Sequence, residues 1–300
     1  ARLKSALDEP YGLILVTGPT GAGKTTTLFG MLKYFSSTEI NIFTIENPVE
    51  YRIPGITQVQ INDKIGLDFA SGLRTALRQD PDIILVGEVR DLETAEIAFR
   101  ASLTGHKVLS TLHTNNAPAS INRLINMGVP AYLVTAAMRV VIAQKLLHRI
   151  CPHCKVEYKP AQSIIQRLSL APGKLIGTKF HKGTGCRECN QTGTYGRLGV
   201  YETMVITSSM KDVIIEGGTE MAIKRVARLE GMRTLRESAL ELAIRGESTL
   251  EEVLFVTPSD DEEKRIPLPG LTGSGMGVPS YILPVQMQPM SAAMQPEGLS

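Results

Sequence analysis

The sequence predicts an α/β chain: a core built on a mainly parallel sheet, then a small cysteine-bearing segment, then a helical C-terminal region. Three observations carry this. Between Tyr11 and Ile150, short β-branched runs alternate with helix-length segments, the order expected of right-handed crossovers. A glycine-rich loop stands where the first strand turns into the first helix. Two C-x-x-C pairs then mark a change of character after Ile150.

Taken in order, the strands are Leu13 to Thr17, Ile40 to Ile45, Ile83 to Val86 and Lys107 to Leu112. The first and third are nearly continuous apolar runs, as strands covered on both faces require. Helices are expected over Lys24 to Phe35, Phe69 to Gln79 and Leu92 to Leu103. Tyr51 to Ile61 alternates around Pro54-Gly55 and reads as an inserted hairpin. After Ile150, cysteines, glycines and basic residues dominate to about Gly199, with one helical segment at Ala161 to Leu170. Val200 to Val205 reads as a strand, and two or three helices fill Ser209 to Phe255. The tail is rich in Pro, Gly, Ser, Gln and Met, and is expected to be disordered or foreign to the fold. The resulting division is 1–150, 151–199, 200–256 and 257–300.

Composition narrows the function. The 300 residues carry 32 Lys plus Arg against 30 Asp plus Glu, a net charge of +2, so no basic field advertises nucleic-acid or membrane-surface binding. Aromatics at 5% with no Trp argue against a base-stacking surface. The longest apolar stretch, Val129 to Ala143, is broken by Arg139, which leaves no transmembrane candidate. Ala1 to Pro10 lacks the features of a signal peptide, and the chain opens without Met, as a piece of a longer protein would. Four cysteines are too few for a secreted disulfide scaffold, so a cytoplasmic location is expected.

Gly18-Pro19-Thr20-Gly21-Ala22-Gly23-Lys24-Thr25, followed by Thr26, fits G-x-x-x-x-G-K-[ST] between a strand and a helix. Glycines there let backbone N–H groups turn inward onto phosphate oxygens, and the helix adds its positive end. Lys24 is expected to reach the β- and γ-phosphates of ATP, and Thr25 to ligate Mg²⁺. Glu88, closing Ile83-Ile84-Leu85-Val86-Gly87-Glu88, is the acidic partner, a carbon longer than the usual Asp and so expected to act on the ion through water. Glu46 and Glu50 follow a strand at the same edge, as does His113. His113 either senses the γ-phosphate or is a structural histidine; His106, at the other end of its strand, reads as structural. Arg74 and Arg78, four apart, share a helix face that is either solvated surface or an arginine finger for a neighbouring subunit, a role for which Arg90 competes.

Cys151-Pro152-His153-Cys154 and Cys186-Arg187-Glu188-Cys189 can each clasp one side of a tetrahedral Zn²⁺. A redox dithiol is the alternative, but it leaves the second pair without a role.

Assembled, these residues resemble the ATPases of type II secretion and type IV pilus assembly, from about Tyr11 to Val256. The resemblance rests on the phosphate loop, the Asp box Ile45 to Tyr51, the acidic Gly87-Glu88-Val89-Arg90-Asp91, the His box Ser110 to Thr114, and Gly196 to Glu202. It implies a RecA-like core, a homo-hexamer with ATP at or near subunit interfaces, and an inner-membrane platform protein as partner. It also implies a place at the cytoplasmic side of that membrane. Glu50 would polarise the attacking water and Glu88 would serve Mg²⁺. The zinc quartet is a feature of assembly and secretion members, which retraction motors generally lack. Asn47 stands where the family usually has Asp, and the family's N-terminal domain has no counterpart here. Two rival functions are a RecA-like nucleic-acid motor and a nucleotide-binding regulator that no longer hydrolyses.

Overall fold

A computed structural model describes residues 2–168 and 177–257. The expectations for 258–300, and for the last two residues of the helix expected over Ala161 to Leu170, lie outside the described residues. Seven strands form one sheet in the order β3-β2-β4-β5-β1-β6-β9: β1 (Gly12–Thr17), β2 (Ile42–Glu46), β3 (Thr57–Gln60), β4 (Ile83–Val86), β5 (Lys107–Leu112), β6 (Met138–Ile150) and β9 (Thr194–Val205). The first six run parallel, and β9 pairs antiparallel to β6.

The continuous apolar runs are explained by burial on both faces. Leu13 and Leu15 join Ile84, Val86 and Val108 beneath α3 (Phe69–Ala76), α4 (Leu92–Leu103), α5 (Ala117–Asn126) and α6 (Ala131–Ala137). Ile14 and Val16 face the other way, onto Leu28, Phe29 and Leu32 of α2 (Lys24–Phe35) and Ala6 of α1 (Arg2–Asp8). All six residues of β1 are buried. A strand enclosed this way has its register fixed by both layers, so its end is delivered to one place.

Four expectations change. The hairpin at Tyr51 to Ile61 does not form. Ile53-Pro54-Gly55-Ile56 closes a turn with Ile56 N donating to Ile53 O at 3.3 Å, and only Thr57–Gln60 becomes a strand, parallel to β2 at the sheet edge. Pro54 has no N–H to offer a ladder, Gly55 sits at φ +79°, and the segment before them bonds to a side chain instead of a strand, Ile53 N donating to Gln58 Oε1 at 2.7 Å. The helix over Phe69 to Gln79 stops at Ala76, because Arg78 N and Gln79 N bond back to Thr75 O and Ala76 O in tightened turns. Arg78 therefore lies beyond the helix and shares no helical face with Arg74. Residues 208–256 hold four helices instead of two or three: α8 (Ser208–Ile215), α9 (Glu220–Leu229), α10 (Leu235–Ile244) and α11 (Leu250–Val256). Each starts after a threonine, Thr207, Thr219, Thr234 or Thr249, whose hydroxyl accepts from the third residue along. Finally, β6 is a 13-residue strand where the sequence shows only an apolar stretch, and it takes 12-residue β9 as partner.

Between those two strands lies a small unit: β7 (Lys155–Tyr158) antiparallel to β8 (Phe180–Gly183), with α7 (Gln162–Arg167). Within the described residues no helix is long and apolar enough to cross a membrane.

Glu202 of β9 ties the sheet to two helices. Its buried carboxylate accepts from Ala117 N at 2.7 Å and Leu235 N at 3.2 Å, the first residues of α5 and α10. Helix N-termini present unsatisfied N–H groups and positive charge, so one carboxylate satisfies both. Replacing it by a neutral amide, Glu202→Gln, is expected to lower unfolding free energy by about 1–3 kcal/mol, read from urea denaturation.

Candidate functional site

The parallel strands end along one edge, and the phosphate loop occupies its centre. Gly18 follows β1, and its N–H donates to Leu112 O of β5 at 3.4 Å. Its φ of +151° belongs to glycine, and a Cβ there would meet Gln144 O at 2.3 Å. Gly21 and Gly23 also have positive φ, 77° and 83°, which turns the loop over before α2 starts at Lys24. No side-chain hydrogen bond caps that helix, and because the first N–H groups of a helix have no intrahelical acceptor, its start suits an anion. Pro19, Thr20, Gly21 and Thr26 are exposed around the mouth, while Ala22 is buried beneath it.

Lys24 Nζ curls back across the loop and donates to Gly18 O at 2.9 Å and Pro19 O at 3.1 Å. Partial burial pushes its pKa below the usual lysine range, and the Glu88 carboxylate pulls it back up. An anion bound in the loop would reinforce that second effect.

Two carboxylates reach the same rim from different strands. Thr25 Oγ1 donates to Glu50 Oε1 at 3.3 Å. Glu88 stands past the end of β4, with His113 Nε2 3.3 Å from its Oε1 and Arg90 Nε donating to its Oε2 at 2.7 Å. Arg90 also lies over the Phe69 ring, 5.8 Å from its centroid. Glu46 is different: buried, it accepts from Thr44 Oγ1 at 2.6 Å and Gln58 Nε2 at 3.0 Å, so it braces the segment leading to Glu50. Tyr51 adds a second brace, its ring edge-on to Phe29 of α2 at 4.6 Å between centroids.

The structure thus gathers Lys24, Thr25, Glu50, Glu88 and His113. It does not add Arg74, which is exposed and ion-paired with Glu93 of α4, nor the exposed Arg78. His106 Nδ1 lies 3.0 Å from Ala101 O at the opposite end of β5. Two supporting residues carry no signal in the sequence, Gln58 and Gln144. Both are ordinary polar residues on strands, and only the fold gives them partners; Thr114, which closes the His box, gains a partner the motif does not reveal, its hydroxyl 2.6 Å from Thr17 Oγ1.

The four thiols form a second site, all within 4.8 Å of one another. Cys151 and Cys186 sulfurs are 3.8 Å apart, Cys154 and Cys189 3.8 Å, and Cys186 and Cys189 3.7 Å. A tetrahedral ion with metal–sulfur bonds of about 2.3 Å has sulfur–sulfur edges of about 3.8 Å. The donor set therefore fits a metal ion, and the contacts run between the two motifs as well as within one. Burial opposes ionisation of Cys189, but the amides of Cys186 and Gly193, with the neighbouring thiols of Cys186 and Cys154, hold its pKa down to about 6. A thiolate at neutral pH is what a metal takes. Gly183 and Gly193 let two backbones meet here, since a Cβ on Gly183 would lie 2.0 Å from Gly193 O. Elemental analysis of the purified chain is expected to find one thiolate-bound metal. Cys154→Ser should lose it and melt at least about 5 °C lower.

Comparison with known proteins comes to the same architecture. The family model described as "Type II/IV secretion system protein" matches residues 1–255. A type IV pilus assembly ATPase, PilB of Thermus thermophilus, is 49% identical over 85% of this chain and 29% of its own. The type II secretion system protein HxcR of Pseudomonas aeruginosa is 45% identical over 86% of this chain and 51% of its own. Among solved structures, the pilus retraction motor PilT with bound ADP superposes with a TM-score of 0.64 at 30% identity, covering 88% of this chain and 66% of that one. The chain spans from under a third to about half the length of these two curated relatives.

Proposed function

The chain belongs to the type II/IV secretion system protein family, and on that premise we propose that it is the motor portion of a Mg²⁺-dependent ATPase. In this reading ATP hydrolysis drives type IV pilus assembly or type II secretion. The observation that carries the reading is the meeting of Thr25 with Glu50 at the mouth of one glycine loop, across which Lys24 lies bonded to the carbonyls of Gly18 and Pro19.

The chemistry follows from placement. In-line attack of water on a γ-phosphate requires positioning and charge neutralisation in place of a covalent intermediate. Loop amides from Gly21 to Thr25 and the open end of α2 take the phosphate oxygens. Lys24, now spending its protons on two loop carbonyls, exchanges them for β- and γ-phosphate oxygens. Thr25 Oγ1 and, through water, Glu88 would hold Mg²⁺, which supplies charge neutralisation on the phosphates. Glu50 accepts a proton from the attacking water. His113, beside Glu88, links occupancy of the γ-position to the end of β5. An arginine from a neighbouring copy completes the charge balance; Arg74, Arg78 and Arg90 are the candidates, and Arg74 would have to leave Glu93 to serve.

The partners in this reading are those the family resemblance implies: a ring of six copies at the cytoplasmic side of the inner membrane, pushing on a platform protein of a pilus or secretion machine. Zn²⁺ is the ion best suited to four thiolates, and its role is to hold a glycine-rich segment that has little core of its own.

Phosphate release by the purified chain tests the activity. Lys24→Ala is expected to abolish it. Glu50→Gln and Glu88→Gln should each lower turnover by about a hundredfold or more while still binding nucleotide. Wild-type rates in all three variants would dismiss the site.

A further inference from the structure

The candidate reacting groups approach the phosphate loop from α2, β2, β4 or β5. The opposite flank is formed by β6, where Gln144 makes the polar contacts and the Leu146 side chain also lies against Gly23. Gln144 is buried, 2% exposed, and lies just past Ala143, which is paired with Thr17 at the end of β1. Three contacts radiate from it. Its Oε1 accepts from Thr27 Oγ1, in the first turn of α2, at 2.7 Å. Its backbone carbonyl lies against Gly18, where a Cβ would come within 2.3 Å of the oxygen. Its Nε2 lies against Gly23, where a Cβ would come within 3.0 Å. One residue thus touches the first glycine of the loop, the last glycine, and the helix that the loop feeds.

We propose that Gln144 is a positioning residue for the phosphate site, fixing the loop in its anion-binding shape before the nucleotide arrives. The inference rests on the reading of that loop as an ATP site and adds a residue the motif does not contain. The physical argument is preorganisation. Loop amides bind phosphate only when they converge, and a glycine-rich segment loses more conformational entropy than any other on being ordered. A buried residue whose side-chain amide bonds to Thr27 and packs on Gly23, and whose backbone carbonyl packs on Gly18, bears that cost during folding. Breaking the bond moves the cost to nucleotide binding, so affinity falls while the transition state loses no contact made only there. Gln144 also stands opposite Tyr201 in the β6–β9 ladder, so the loop's flank is continuous with the strand that carries Glu202.

The test is equilibrium binding of Mg·ATP, followed with a fluorescent N-methylanthraniloyl analogue on the full chain, with melting temperature and metal content measured on the same samples. Gln144→Met keeps the volume and loses the bond. Thr27→Val removes the same bond from the other side, and Thr27→Ser keeps the hydroxyl. The expected result is a Kd raised about tenfold in Gln144→Met and in Thr27→Val, with Thr27→Ser close to wild type and the double variant no weaker than either single one. Should Gln144→Met not fold, Thr27→Val against Thr27→Ser carries the same comparison. If wild type binds, Lys24→Ala does not, and both Gln144→Met and Thr27→Val bind like wild type, the positioning role is overturned while the ATP site stands. A lowered melting temperature with unchanged Kd overturns it in the same way. If wild type itself fails to bind, the ATP reading falls and this inference with it.

Discussion

The molecule depends on the confinement of β1. Its six residues are buried, hydrogen-bonded on one side to β5 and on the other to β6, and packed beneath helices on both faces. A strand so held can place its next residue, Gly18, in only one spot, between Leu112 O and Gln144 O. The loop that follows is rich in glycine and could not hold a shape by itself. Its geometry is borrowed from the sheet, and Glu50, Glu88 and His113 find the loop because their own strands end at the same edge.

The rim is also wired to the C-terminal helices by short hydrogen bonds. Thr17 Oγ1 meets Thr114 Oγ1, which in turn lies 2.7 Å from Ser120 Oγ of α5. Two residues beyond Thr114, Asn116 Nδ2 donates to Glu220 Oε1 of α9 at 2.8 Å, and Ala117 N donates to Glu202. A shift of the segment that follows β5 therefore meets α5, α9 and, through Glu202, α10. The cysteine cluster hangs from the same framework, since Cys151 immediately follows β6 and its N–H donates to Gly193 O at 3.0 Å, just before β9.

Much of this is legible in the amino-acid sequence for physical reasons. Strands buried on both faces announce themselves as unbroken apolar runs, so Leu13 to Thr17 and Ile83 to Val86 are clear. A loop that must bind phosphate through its backbone needs glycines at set positions and a lysine after them. Four thiols need two pairs. What stays hidden depends on contacts far apart in the chain. The pairing of β6 with β9 joins residues more than 40 positions apart, and β6's apolar opening merges with the helix before it. The edge strand Thr57–Gln60 is polar and short, so its periodicity resembles a hairpin around Pro54-Gly55. The threonine caps that divide the last helices are present as residues, but the apolar spacing across them drowns the signal. Arg74 and Arg78 show the opposite error: helical spacing suggests a shared face, and the helix ends before the second of them.

The most direct measurement is a crystal structure of the chain with Mg²⁺ and a non-hydrolysable ATP analogue. The account predicts phosphate oxygens against the amides of Gly21 to Thr25 and the Lys24 amine moved from Gly18 O onto the β- and γ-phosphates. It also predicts the Glu50 and Glu88 carboxylates turned to the ion or its waters. An analogue seated elsewhere, or one seated in the loop with both carboxylates directed away from it, would contradict it.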